Sequence, residues 1–272
     1  APVLLSPADM GSSGRTANNV CVNRESRRIV QMIDCLNDIL GECGLFVRGG
    51  FHPAPDDDIP ALPDGEPAGT VVLIGNAGTG MWHAFSGEAD FGARHPLDSW
   101  LGPKIEAAAR AVGAHVILPN SGPPFVPIQD WAMRADQVFR SPIGILVHPE
   151  YGLWHVYRGV MLFADRIELP PSAAGENPCE TCLKKPCLKA CTADAFLPDR
   201  FDAPVCVSHV ESAAGTNCRE RGCLARRACP VGRDYLYGPD QQKFHTAAML
   251  RAVGSGYGEN SGREQGAACP LV

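Results

Sequence analysis

Apolar and polar positions mark the chain up to about residue 170 as a mixture of helices and strands. Ile29, Ile33, Leu36, Leu40 and Cys43 recur at spacings of four and three. That is one face of a helix, with Asn23 as its cap and Gly41 and Gly44 as its stops. Leu45 to Val47 reads as a short strand. Val71-Val72-Leu73-Ile74 is an unbroken apolar run between turn residues, the signature of a strand buried on both faces. The pattern further predicts a helix opened by Pro103 and running to about Val112. It predicts a strand at His115–Leu118, a helix at Gln129–Phe139, a strand at Ile143–Val147, and one or two strands between Val156 and Leu169. Residues 52–69 and 119–127 are rich in Pro, Asp or Gly and read as loops, and residues 1–20 as a loosely held start. Helices and strands mix without a regular βα repeat, so the fold class is α+β.

Beyond residue 170 the pattern changes. Residues 170–178, P-P-S-A-A-G-E-N-P, read as a linker. Val205–Ala213 can form a helix carrying Cys206 and His209, and Gln241–Val253 a closing helix. The expected division is an α+β part at 1–170, a cysteine-rich part at 171–253 and a Gly/Ser-rich tail at 254–272.

Eight of the twelve cysteines fall between Cys179 and Cys229. They are Cys179, Cys182, Cys187 and Cys191, then Cys206, Cys218, Cys223 and Cys229, the last followed by Pro230. Three close thiols and a fourth further on, repeated, is the logic of a two-cluster ferredoxin. In such proteins the fourth cysteine of each run serves the other cluster. Crossover then gives one [4Fe-4S] cluster Cys179, Cys182, Cys187 and Cys229, and the other Cys206, Cys218, Cys223 and Cys191, with no thiol left over. Close spacing keeps the loop-closure cost low. The pattern departs from the bacterial ferredoxin one in three places. The second gap, Leu183 to Pro186, holds four residues; Thr192 stands where Pro is usual; and eleven residues separate Cys206 from Cys218. Zinc, which favours paired C-x2-C knuckles, and disulfides are the rival readings. Cys21, Cys35, Cys43 and Cys269 are scattered and read as ordinary thiols.

The stretch C-E-T-C…P-C-L-K-A-C…C-V-S-H-V…C-R-E-R-G-C-L-A-R-R-A-C-P resembles the iron–sulfur segment of epoxyqueuosine reductases and reductive dehalogenases. It is closer still to ferredoxin-like proteins whose clusters end a longer domain. The resemblance covers about Cys179 to Gly232. It implies a preceding nitroreductase-like domain that holds cobalamin and is fed electrons by the clusters. The chain lacks the Gly-Trp-x-Gly-Lys-Asn-like stretch of the cobalamin-binding relatives.

Net charge is −6 with a pI of about 5.7. That balance does not point to nucleic acid as a partner. Arg219, Arg221, Arg226, Arg227 and Arg233 nevertheless crowd the second cysteine run, either as charge compensation, as a docking face for an acidic partner, or as a solvated surface. No run of 18 apolar residues is present to span a membrane. Clusters assemble under reducing conditions, which points to a cytoplasm, or to an organelle matrix if a targeting segment has been removed.

Three further stretches have two readings each. Gly75–Gly80, G-x-x-G-x-G, is either a backbone cradle for phosphate or a tight strand-to-helix turn. Asp56-Asp57-Asp58 is either a cation site or a solvated loop. His148–Arg158 is either a pocket for a planar cofactor or the packed interface between the two parts. No Cys/His or Ser/His constellation commits the chain to group transfer. The expected function is electron transfer through the clusters. An accessory iron–sulfur subunit and a self-contained flavin- or cobalamin-dependent reductase are the alternatives.

Overall fold

The computed structural model describes residues 28–254, apart from 120, 121, 123, 124 and 171–174. Six strands and ten helices are described: β1 (Phe46–Phe51), β2 (Thr70–Ala77), β3 (His115–Ile117), β4 (Phe139–Arg140), β5 (Leu146–Val147) and β6 (His155–Phe163), with α1 (Arg28–Gly41), α2 (Gly80–Glu88), α3 (Pro96–Ala111), α4 (Ile128–Ala135), α5 (Pro178–Thr181), α6 (Pro186–Lys189), α7 (Ala203–Glu211), α8 (Thr216–Arg221), α9 (Leu224–Arg227) and α10 (Pro239–Gly254). A four-stranded sheet runs β1-β2-β6-β3, and every neighbouring pair is antiparallel. Helices plus an antiparallel sheet make the chain α+β. No helix among the described residues is long and apolar enough to cross a membrane.

The sheet is covered on both faces, which explains the unbroken apolar run in β2. Alternate side chains of a strand point to opposite faces. Val72 and Ile74, with Met161 and Phe163 of β6, pack under α1, α2 and α3 against Leu36, Leu40, Met81, Phe85, Leu101 and Ile105. Val71 and Leu73, with Val160 and Leu162, pack under α4 against Trp131, Ala132 and Ala135. Val71, Val72, Leu73 and Ile74 are all fully buried. The hydrophobic effect acts twice through one strand.

Three expectations need correction. The helix assigned to Pro103 begins at Pro96, and Pro103 lies inside it. The buried face Leu97, Leu101, Ile105 and Ala108 continues across the proline at spacings of four, four and three, so core packing outweighs the lost N–H. The Gln129–Phe139 helix ends at Ala135, and Phe139 pairs with Val147 in a small hairpin. Cys35 on α1 is disulfide-bonded, because scatter along the sequence does not report nearness in space. The predicted cap Asn23 lies outside the described residues, as do Cys21, Cys269 and the side chain of Ile29.

A bulge in β1 sets a buried ion pair. The register shifts between Val47 and Gly49, which leaves Arg48 as the extra residue. Its Nη2 lies 2.7 Å from Asp136 Oδ2, and its guanidinium sits over the rings of Tyr151 and Tyr157. Tyr157 Oη donates to the same carboxylate at 2.8 Å. Burial alone would raise the Asp136 pKa. His148 Nε2, 3.6 Å away, with the Arg48 charge and the Tyr157 hydroxyl, outweighs it and holds the carboxyl at about 2.

A buried arginine joins the segment after residue 175 to the turn that leads into β6. Arg226 of α9 is buried and donates from Nε and Nη2 to the carbonyl of Leu153, at 3.0 and 2.6 Å. Its guanidinium lies against the rings of Trp154 and Tyr237, 4.7 and 4.8 Å from their centroids, and the two rings meet edge-on at 5.3 Å. Beside it, Gly152 (φ +58°) and Gly232 (φ +70°) let two backbones touch. A Cβ on Gly152 would lie 2.1 Å from the Val231 carbonyl oxygen.

Two outcomes follow from these contacts. Asp136→Asn should strand the Arg48 charge and cost about 3–5 kcal/mol, read from urea midpoints at neutral pH. Because the native carboxyl sits below its ordinary range, its contribution is full above that range and fades as pH falls toward about 2; the variant should lack that acid limb. Arg226→Met keeps the bulk but removes both bonds to Leu153 and should cost about 2–3 kcal/mol in the same assay.

Candidate functional site: eight thiols in two sets

Short helices, each opened by a local device, carry the cysteines. Pro178 starts α5, and the Asn177 side chain accepts from the Cys179 N–H at 3.0 Å. Pro186 starts α6 behind Lys185, a left-handed residue at φ 42°. Asp202 caps α7 by accepting from Val205 N–H at 3.1 Å. Gly222 (φ +81°) ends α8 and turns the chain into Cys223 and α9. None of the three helices α5, α6 and α9 exceeds four residues, so packing and local caps hold them rather than helix cooperativity.

The eight thiols gather in two groups of four. Cys179 is acted on by the charges of Cys229, Cys187 and Cys182, and Cys229 by those of Cys187 and Cys182. Cys206 is acted on by Cys223, Cys191 and Cys218, and Cys223 by Cys218 and Cys191. Cys191, Cys206, Cys218 and Cys223 also line one cavity, together with Thr192, His209 and Leu224. In each group, three thiols come from one run and one from the other. Thr192 Oγ1 and His209 Nε2 lie 3.1 Å apart on the cavity wall.

The first group is rooted in the core. Cys187 and Cys229 are buried against Ile143, Ile145, Val147 and Leu153, around the β5 hairpin. Burial pushes the thiols up: Cys206 to about 12, and Cys179 and Cys223 to about 11, with the neighbouring thiols adding to the rise. Opposing this, backbone N–H groups reach sulfur: Leu188 to Cys187, Arg226 and Ala225 to Cys223, and Val231 to Cys229. The charges of Lys185 and Arg233 act in the same direction on Cys179 and Cys229. No three His, Cys, Asp or Glu side chains among the described residues converge tightly enough for a single ion.

The other candidate stretches are spent on packing. In Gly75–Gly80, a Cβ on Gly75 would lie 2.1 Å from the Val156 carbonyl oxygen, and one on Gly78 would touch the Tyr235 ring. Gly75 admits the neighbouring strand, and the turn before α2 is covered by Tyr235. Asp57 of the acidic triplet pairs with Arg134. In His148–Arg158, Leu153, Trp154 and His155 are buried; His148 stacks on Tyr151 at 4.2 Å, and Tyr151 meets Tyr235 edge-on at 4.8 Å. The five arginines separate by role. Arg226 is the tie to Leu153, and Arg219 binds the carbonyls of Val210 and Ser212. Sequence reasoning missed the roles of Arg226, Arg48 and Tyr237, because each depends on a partner far along the chain and leaves no periodic trace.

No family model matches the chain, and no curated protein matches it. Among solved structures it is similar to an epoxyqueuosine reductase with a tRNA-Tyr epoxyqueuosine-modified stem loop, at 16% identity over 78% of this chain and 69% of that one, with a TM-score of 0.46. It is similar to the epoxyqueuosine reductase of Streptococcus thermophilus, at 15% identity over 61% of this chain and 50% of that one, with a TM-score of 0.40. The Bacillus subtilis enzyme, with its catalytic loop swung out of the active site, is 16% identical over 76% of this chain and 66% of that one, with a TM-score of 0.44. The chain thus spans from half to about two thirds of the length of these structures.

Proposed function

We propose that the chain is an iron–sulfur electron-transfer protein with two [4Fe-4S] clusters. Cys179, Cys182, Cys187 and Cys229 would hold one, and Cys191, Cys206, Cys218 and Cys223 the other. The observation that carries the reading is the sorting of eight thiols into two sets of four, each drawing one member from the other run. On this reading 1–170 is the supporting α+β part, 171–253 the ferredoxin-like cluster part and 254–272 the tail.

The donor chemistry fits such a cofactor. Four sulfurs around one zinc ion with bonds of about 2.3 Å must lie under about 4 Å apart. Four sulfurs on four different irons are held wider. Thiols held at about 11 to 12 stay protonated unless a cation is present to offset the cost of burial and mutual repulsion. When bound, the clusters would supply reversible one-electron storage. The chain's own part is to fix the ligands, to point N–H groups at sulfur and to place Lys185 and Arg233 beside the first set. Each of these stabilises the more reduced, more negative state and so raises the potential.

A carrier is favoured over a self-contained flavin- or cobalamin-dependent reductase by the fate of His148–Arg158. That stretch, the best polar-aromatic candidate for a cofactor wall, is taken up by contacts with Tyr235, Arg226 and Tyr237.

Anaerobically reconstituted protein should hold about eight irons and release no organic chromophore. Cys191→Ala should remove the EPR signal of the set containing Cys206, Cys218 and Cys223, and Cys187→Ala that of the other, each with about half the iron. Reconstituted protein that holds zinc, or variants that lose the opposite signal, would overturn the assignment.

A further inference from the structure

Positive charge collects outside the two sulfur sets. Arg221 at the end of α8, Arg227 at the end of α9 and Arg233 after Pro230 line a cleft of about 270 Å³, whose other walls include Leu236, Tyr237 and Gln242. No acidic side chain lines it. Among the described residues none of these three arginines forms a salt bridge. The nearby carboxylate, Glu220, is engaged by Lys243 at 2.5 Å and by Arg219 at 3.6 Å. Two of the guanidinium groups are set in place beforehand. Arg227 Nη1 donates to Asn217 Oδ1 at 2.8 Å, and Arg233 Nη1 donates to the Arg227 carbonyl at 2.7 Å. Fixed donors lose little freedom on meeting an anion.

This cleft is a local reversal in a chain of net charge −6. It adjoins the first sulfur set, since Arg233 Nη1 donates to the carbonyl of Arg227, two residues before Cys229. In the same set, Leu183 lies in the loop between Cys182 and Cys187 and is 90% exposed. A basic rim with an apolar contact beside it is the composition of a small transient interface.

We infer that this cleft docks an acidic one-electron carrier protein, which passes its electron to the set ending in Cys229. The binding half of the inference rests on charge complementarity, and the redox half rests on the cluster reading above. In the transfer the reduced carrier loses one electron and this chain gains one; no bond is made or broken and no proton moves. Binding through a charged rim is fast, salt-sensitive and weakened by charge reversal at the arginines.

The test uses full-length protein and an acidic flavodoxin as the probe. Binding between the two oxidised proteins is measured by titration calorimetry at about 25 and about 300 mM salt. Wild type should bind at low salt and lose at least about tenfold in affinity at high salt; Arg221→Glu/Arg233→Glu should lose about as much at low salt. Arg221→Gln/Arg233→Gln should fall between, and circular dichroism checks that both variants are folded. Stopped-flow reduction by reduced flavodoxin should slow by the same factor in the double reversal. Reduction by the methyl viologen radical cation should not slow. Variant binding equal to wild type, binding indifferent to salt, or saturable binding of inorganic phosphate at the arginines without any of flavodoxin would each overturn the docking. Iron is assayed on the same samples. Because the calorimetry needs no reduction, a lack of iron would count against the clusters and leave the binding result standing on its own.

Discussion

A buried guanidinium joins the cysteine-rich segment to the turn before β6. Arg226 gives two hydrogen bonds to the carbonyl of Leu153 while packing against the rings of Trp154 and Tyr237. The contact fixes α9, and Cys223 and Cys229 flank α9. Leu153 in turn packs with Ile143, Ile145, Val147, Cys187 and Cys229. One side chain thereby sets the distance between the core and thiols from both cysteine runs. A charge buried this deeply is tolerated because its donors are used and its faces are covered by aromatic rings.

The sheet serves the same end more remotely. Covering both faces of β2 and β6 makes a rigid slab, and β6 begins at His155, directly after the Leu153–Trp154 anchor. The Arg48–Asp136 pair, with Tyr157 and His148, braces the same end of β6 from the other side. Asp136, Arg48, Tyr157 and His148, which look like a reactive constellation in sequence, hold one another. Chemistry is left to the sulfur, where burial and mutual repulsion keep the thiols high and backbone N–H groups and nearby cations pull the other way.

What the sequence disclosed was local. The face Ile33, Leu36 and Leu40 and the run Val71–Ile74 stand out because burial leaves a periodic record, and both occupy core positions. Close spacing put Cys179, Cys182 and Cys187 on one short stretch of chain, because spacing limits which sulfurs can share a loop. The rest was hidden for physical reasons. Pro103 reads as a helix start in sequence, yet α3 begins at Pro96 because the buried face runs on across it. Arg48 meets Asp136 across a bulge, and Arg226 meets Leu153, 73 residues away, and no local pattern announces either. The five arginines of the second run looked equivalent. Burial separated Arg226 from Arg221 and Arg233, which face solvent.

In the proposed ligand assignment, the exchange of one thiol between runs has a consequence for biogenesis. Cys229 is the last of the eight to leave the ribosome, and the set to which it belongs otherwise consists of the three made first. The set of Cys191, Cys206, Cys218 and Cys223 is complete as a polypeptide before its neighbour is. A nascent chain therefore passes through a stage in which its earliest sulfurs wait, one short, for a residue not yet translated. Whatever protects reactive sulfur in the cell must shield those three thiols for longer than the rest.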